Sequence, residues 1–147
     1  MRKRGFTFIE ILMVMIIIGV IAAFGIPRLR NSLDKQNVRS AKALLATLVA
    51  TARSVAVSRG CPATLNLTVD SAWVTACGVS PPATSVQVGT KKLIGDDFSV
   101  TLAPSVSTVI YDPRGISTGY TLVTVGVVGT TVTDSVIINQ LGKVVRQ

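Results

Sequence analysis

The sequence predicts an α+β fold in which a long amino-terminal helix, membrane-spanning in its first half and amphipathic in its second, packs on a small antiparallel β-sandwich head. Three observations predict it. Phe6 to Ile26 is an apolar run of 21 residues with one charge, Glu10, about the length a helix needs to cross the hydrocarbon core of a bilayer. Val38 to Val55 carries an apolar stripe at helical spacing. After Gly60-Cys61-Pro62 the apolar period changes to two, in short segments separated by turn residues.

The first five residues, Met1-Arg2-Lys3-Arg4-Gly5, are basic and precede the apolar run. A secretory signal is cut on the far side of its apolar core. Here the cleavage-like site lies before that core, so cutting after Gly5 removes the leader, keeps the helix and exposes Phe6 as a new amino terminus. A carboxylate inside a bilayer costs roughly 2.5 to 3.5 kcal/mol on insertion scales, so Glu10 is expected to have a partner and a function. The ammonium freed at Phe6 is the candidate; the alternative is a Glu10 close enough to the interface to stay hydrated.

RGFTFIE followed by an apolar helix resembles the processing site of type IV prepilins and type II secretion prepseudopilins. The resemblance implies a membrane peptidase that cuts between Gly5 and Phe6, and N-methylation of Phe6. It also implies that Glu10 pairs with the terminal amine of a neighbouring subunit as helices leave the lipid for a filament. The implied partners are other pilins or pseudopilins, prepilin peptidase and an inner-membrane assembly platform.

Once the leader is gone the chain has 142 residues, enough for one anchor helix and one globular domain of about 90 residues. Although 48% of residues are hydrophobic, no later apolar run approaches the length of a span. The organisation read from the sequence is leader 1–5, membrane helix 6–27, amphipathic helix 28–60 and β-rich head 61–147.

The net charge of +8 is unevenly spread. Residues 28 to 60 carry Arg28, Arg30, Lys35, Arg39, Lys42, Arg53 and Arg59 against Asp34, whereas from Cys61 onward Lys91, Lys92, Arg114, Lys143 and Arg146 are balanced by Asp70, Asp96, Asp97, Asp112 and Asp134. The stalk is basic and the head neutral. Five basic residues, Arg28 to Lys42, follow the span and three precede it. Charge alone would therefore put the carboxyl side in the cytoplasm; the processing motif and the cysteines argue for the periplasm.

In 28–60, Val38, Ala41, Leu45, Leu48, Ala52 and Val55 recur at steps of three and four, with Leu44, Val49 and Ala56 widening the stripe. Lys35, Arg39, Lys42 and Arg53 fall beside it. The natural cover is the carboxyl-terminal domain of the same chain, the alternative being a self-associating coiled coil. Pro27 removes a backbone donor and clashes with the preceding turn, so a kink or local melting is expected near Phe24 to Pro27.

Gly60 and Pro62 end the helix. Ala63 to Val69, with Leu65, Leu67 and Val69 on one face, then Asp70-Ser71, then Ala72 to Ala76 read as a hairpin bracketed by Cys61 and Cys77. If the head lies outside the cytoplasm, these two form a disulfide worth roughly 3 kcal/mol. The chain has no histidine, which leaves a zinc site short of ligands and a catalytic cysteine without its usual base. Val79 to Asp97 reads as a loop with at most a short strand at Ser85 to Val88. Strands are expected at Phe98 to Ala103, Val106 to Tyr111, Tyr120 to Val128, Thr131 to Asn139 and Leu141 to Arg146, with a turn at Asp112-Pro113-Arg114-Gly115. They argue for two small antiparallel sheets packed face to face or against the helix.

The segment from Ala52-Arg53-Ser54 to Arg59-Gly60, the turn Tyr111 to Gly115 and the end Ile137 to Arg146 resemble the GspH/FimT branch of minor pilins and pseudopilins. Some members of that branch bind DNA through a carboxyl-terminal Gly-Arg-x-Arg-like motif. This chain has Gly142-Lys143-Val144-Val145-Arg146, and on an alternating strand Lys143 and Arg146 point to opposite faces. DNA contact by these two, with Lys91 and Lys92, is therefore the minority expectation, and an edge strand protected by charge the majority one. There is no phosphate loop, no nucleophile elbow and no metal-ligand cluster; Asp96-Asp97 reads as a solvated turn. The resemblance implies a non-enzymatic structural subunit without cofactor or metal, a minor pseudopilin of a type II secretion system or a minor pilin of a type IV pilus, anchored in a bacterial inner membrane with its head in the periplasm; the alternative is a minor pilin whose head binds DNA for uptake.

Overall fold

The computed structural model of the chain describes residues 7–78, 84–141 and 144–146. Its first element, α1 (Phe8–Arg59), is a single helix of 52 residues. It is helical through Pro27, so the melting expected at Phe24 to Pro27 is not present. Proline there removes one backbone donor, while Ala22, Ala23, Leu29 and Arg30 on either side favour helix. The chain divides into two compact units between Asp34 and Lys35.

In the first unit the large apolar side chains from Phe8 to Leu33 are exposed. A helix apolar on all sides is built to be covered by lipid or by other helices.

In the second unit the stripe on α1 is the centre of the core. Val38, Ala41, Leu45, Leu48, Val49, Ala52 and Ala56 are buried in one cluster with side chains from both sheets, and Leu44 and Val55 are partly buried against it. Gly60, at φ +64, closes the helix in a left-handed conformation. The predicted hairpin follows as β1 (Ala63–Leu67) and β2 (Ala72–Cys77), in antiparallel register from Ala63 opposite Ala76 to Leu67 opposite Ala72. Ala63, Leu65 and Leu67 point inward. Val69 does not join them and is 57% exposed, because the strand stops at Leu67. The chain turns there, held by the Thr68 hydroxyl, which donates to the Ser71 carbonyl at 3.0 Å.

The next segment is more ordered than the sequence suggested. Strand β3 (Ser85–Lys92) runs past Val88 and includes Lys91 and Lys92. Val88 sits opposite Val74 and Lys92 opposite Ala72, so residues 89–91 face Trp73 alone, as a bulge. Gly89, at φ +73, supplies a backbone conformation that other residues rarely adopt. A short helix, α2 (Ile94–Phe98), takes Asp96, Asp97 and Phe98 out of the expected loop and strand, and buries Ile94.

Strands β4 (Val100–Pro104) and β5 (Thr108–Tyr111) are separated by three residues but enter different sheets. They are followed by β6 (Thr121–Val127), β7 (Thr133–Ile138) and β8 (Val144–Arg146). One sheet has the order β3-β2-β1-β5, the other β4-β6-β7-β8, with all pairings antiparallel. Alternate residues of β6, from Thr121 through Val123 and Val125 to Val127, are buried, as the period of two demands.

Candidate functional site

The first turn of α1 carries Glu10. Its backbone N–H is bonded to the Thr7 carbonyl at 3.1 Å, so Thr7 starts the helix and Glu10 occupies its positive end, where a carboxylate is favoured. Glu10 is exposed and shares a side of the helix with Ile11, Val14 and Met15. Gly5 and Phe6 lie outside the described residues, as does Lys143. Arg146 is in β8, paired with Val136, and its side chain is also outside them.

Cys61 and Cys77 form a disulfide across the open end of the β1–β2 hairpin. The Arg59 guanidinium, one residue before the helix cap, donates to the Cys77 carbonyl at 2.8 Å and ties the end of α1 to the same corner. With both cysteines joined, neither is a nucleophile, and among the described residues no group of three or more His, Cys, Asp or Glu is assembled for a metal.

The turn Asp112 to Gly115 is built as its residue types require. Asp112 Oδ1 accepts from the N–H groups of Arg114 at 3.0 Å and Ile116 at 2.9 Å, and Gly115 adopts φ +78. Arg53 and Val57 of α1 press on this glycine, so closely that a Cβ there would stand 3.0 Å from Arg53 Nε. Beside the turn, Tyr111 is fully buried. Its hydroxyl has no hydrogen-bond partner among the described residues, and burial pushes its pKa up to about 12 against the opposing pull of the Arg53 charge. The helix segment and the turn singled out in the sequence are thus one contact.

A second link between helix and sheet was not foreseen. Lys42 was expected beside the apolar stripe; it lies within it, between Val38 and Leu45, with a 4% exposed side chain. Its ammonium donates to Asp134 Oδ2 on β7. The other oxygen, Oδ1, accepts from the Ser135 N–H at 2.8 Å. The Lys42 hydrogen bond, aided by Ser135 and by the charges of Lys42 and Arg39, holds the Asp134 carboxyl below the usual range despite its partial desolvation. A lysine four residues after one buried position and three before another was the only signal.

Lys91 and Lys92 were expected on a loop. The bulge in β3 instead brings the Lys91 ammonium over the Trp73 ring, 4.8 Å from its centroid.

Comparison with known proteins agrees with this geometry. Residues 1–26 match the prokaryotic N-terminal methylation motif, and residues 42–142 match the family of the type II transport protein GspH. Two crystal forms of the type IV minor pilin FimU of Pseudomonas aeruginosa (strain PAO1) share the fold. One has a TM-score of 0.58 at 17% identity, over 76% of this chain and 89% of that one. The other has a TM-score of 0.56 at 18% identity, over 74% and 91%.

Proposed function

Since the chain belongs to the GspH family of type II transport proteins, a family of structural rather than enzymatic proteins, we propose that it is a minor pseudopilin of a type II secretion system. The observation that carries the reading is the order of features along one chain. A methylation motif over residues 1–26 opens a helix apolar on all sides, and the same helix ends in the core of a GspH-type head.

In this reading a prepilin peptidase cuts after Gly5 and Phe6 is methylated. Phe6 to Ile26 anchors the chain in the inner membrane until assembly. The ammonium of Phe6 on one subunit then pairs with Glu10 on its neighbour, which removes the isolated carboxylate from lipid. The helix bends at Pro27 in the filament, where a missing backbone hydrogen bond makes bending cheapest. The Cys61–Cys77 disulfide supports a head on the oxidising side of the membrane. Of the five basic residues that argue for the opposite orientation, Lys42 is neutralised by Asp134, which weakens that argument.

The test is the mass and amino-terminal sequence of the protein from membranes of its native host. The expected chain begins at Phe6, one methyl group heavier and two hydrogens lighter than the reduced sequence. An intact Met1 with two free thiols would refute the reading. Glu10→Ala is expected to insert normally but to be missing from sheared filaments; normal incorporation would rule out the Glu10–Phe6 pairing.

A further inference from the structure

We infer that Arg53 and the groove around it on α1 dock a carboxylate side chain of another protein subunit of the same filament, different from this chain. Ala50, Arg53, Ser54, Val57 and Ser58 line a shallow groove of about 460 Å³ in the second unit. At steps of three and four they share one face of the helix, about 12 Å long. All five are exposed, so this is a side of α1 that the two sheets leave uncovered. Arg53 is seated there but not neutralised. Its stem lies on the turn at Gly115, where a Cβ would stand 3.1 Å from Cγ and 3.0 Å from Nε. Among the described residues it has no hydrogen bond and no ion pair. The carboxylate of that turn, Asp112, is engaged elsewhere. Oδ1 accepts from the N–H groups of Arg114 and Ile116, and Oδ2 lies 3.8 Å from Arg114 Nε. The titratable group that feels the Arg53 charge is the Tyr111 phenol, which is uncharged at neutral pH.

An arginine seated in advance and lacking a counter-charge suits recognition. Less side-chain freedom is lost when a partner arrives, and the planar guanidinium matches the two oxygens of a carboxylate. Val57, 53% exposed, and Ala50 set apolar surface beside it, the combination of arginine and apolar area that anchors protein contacts. A nucleic-acid backbone is gripped by several cations in a row, whereas this groove has one. Charge then selects the kind of protein. From Lys35 to Gln147 the sequence holds ten lysines and arginines against five aspartates, so a second copy is repelled and an acidic surface attracted.

That the partner is a filament subunit rests on the proposed function, and the test separates the two. The full chain, with the photocrosslinking residue p-benzoylphenylalanine in place of Ser54, is produced in its native host and the cells are irradiated. A chain that keeps Met1 would refute the proposed function. With processing established, a crosslink is expected to a different protein that is itself cleaved and methylated at its amino terminus. Mass spectrometry of the crosslinked peptide should place Asp or Glu within about one helical turn of the attachment point. Arg53→Gln should cut the crosslinked species at least about tenfold, while Lys92→Gln, on β3, leaves it intact. Arg53→Gln should keep its disulfide and its denaturation midpoint, since the side chain is exposed. Gly115→Ala, which crowds the seat of the arginine, should weaken the crosslink, and Gly119→Ala should not. A yield unchanged by Arg53→Gln, or lost equally in Lys92→Gln, would overturn the inference. So would a crosslink to a second copy, to lipid or to nucleic acid, or no crosslink at all.

Discussion

Removing the carboxylate of the Lys42–Asp134 pair should cost more than removing the ammonium, although both substitutions delete the same bond. The two ends are buried to different depths, with side-chain exposures of 4% for Lys42 and 35% for Asp134. Asp134→Asn leaves a lysine ammonium inside the apolar stripe with a neutral partner. Breaking a fully buried pair in this way costs about 3 to 5 kcal/mol, and the partial exposure of the partner reduces this to roughly 2 to 4. Lys42→Met keeps the volume of the stem and leaves behind a carboxylate that water can reach, for about 1 kcal/mol. Lys42→Met/Asp134→Val replaces both ends with apolar groups and should lie close to the wild type. The assay is denaturant unfolding of the full chain in detergent, followed by the fluorescence of Trp73, the one tryptophan in the sequence. The acid limb adds a check. The folded-state pKa of Asp134 is depressed, so its contribution is present above the unfolded value near 4 and is lost as pH falls through the lower folded value. Asp134→Asn should remove that dependence. Equal costs for the two single variants, or a double variant less stable than either, would refute the burial argument.

Three further outcomes are expected. Cys61→Ser/Cys77→Ser should lower stability by about 3 kcal/mol in the same unfolding assay, with no change under reducing conditions that already open the wild-type bond. Gly115→Ala, which places a Cβ at φ +78 against Arg53 and Val57, should cost about 1 to 2 kcal/mol. Gly119→Ala, which meets nothing within 4 Å, should stay within about 0.5 kcal/mol of wild type. Tyr111→Phe removes a buried hydroxyl that has no partner among the described residues and should be neutral or stabilising by about 1 kcal/mol in melting experiments at pH 7. The folded pKa of Tyr111 is raised from 10.0 to about 12. Stability is therefore independent of this group's ionisation below pH 10 and falls as pH rises toward 12, by about 3 kcal/mol in all, because the buried phenolate is disfavoured in the folded state; Tyr111→Phe should not show this alkaline loss.

How much of the fold could be read beforehand follows from the range of the interactions involved. The apolar run at Phe6 to Ile26, the stripe from Val38 to Val55, the β1–β2 hairpin and the Asp112 to Gly115 turn are all set by residues within a few positions of one another. Periodicity and turn chemistry record such short-range demands directly. The same holds for the methylation motif, which a peptidase must read as a linear segment. The disulfide was legible because its cysteines bracket a hairpin. Val69 was misassigned because alternation does not say where a strand stops; the Thr68–Ser71 turn does.

Tertiary structure decided the rest. Strand β3 extends to Lys92 because β2 offers it an edge to pair with, although Gly89 and the lysines have little intrinsic preference for a strand. Strands β4 and β5 are separated by three residues yet lie in different sheets, because β6 and β1 supply their partners. Lys42 meets Asp134 across 92 residues of sequence, and only the packing of α1 against β7 could pair a lysine inside an apolar stripe with that carboxylate. By itself, then, the sequence determined the apolar run, the methylation motif and the local elements, whose causes are short-ranged. The pairing of strands and the Lys42–Asp134 ion pair depend on which surfaces meet, and that is a property of the folded chain alone.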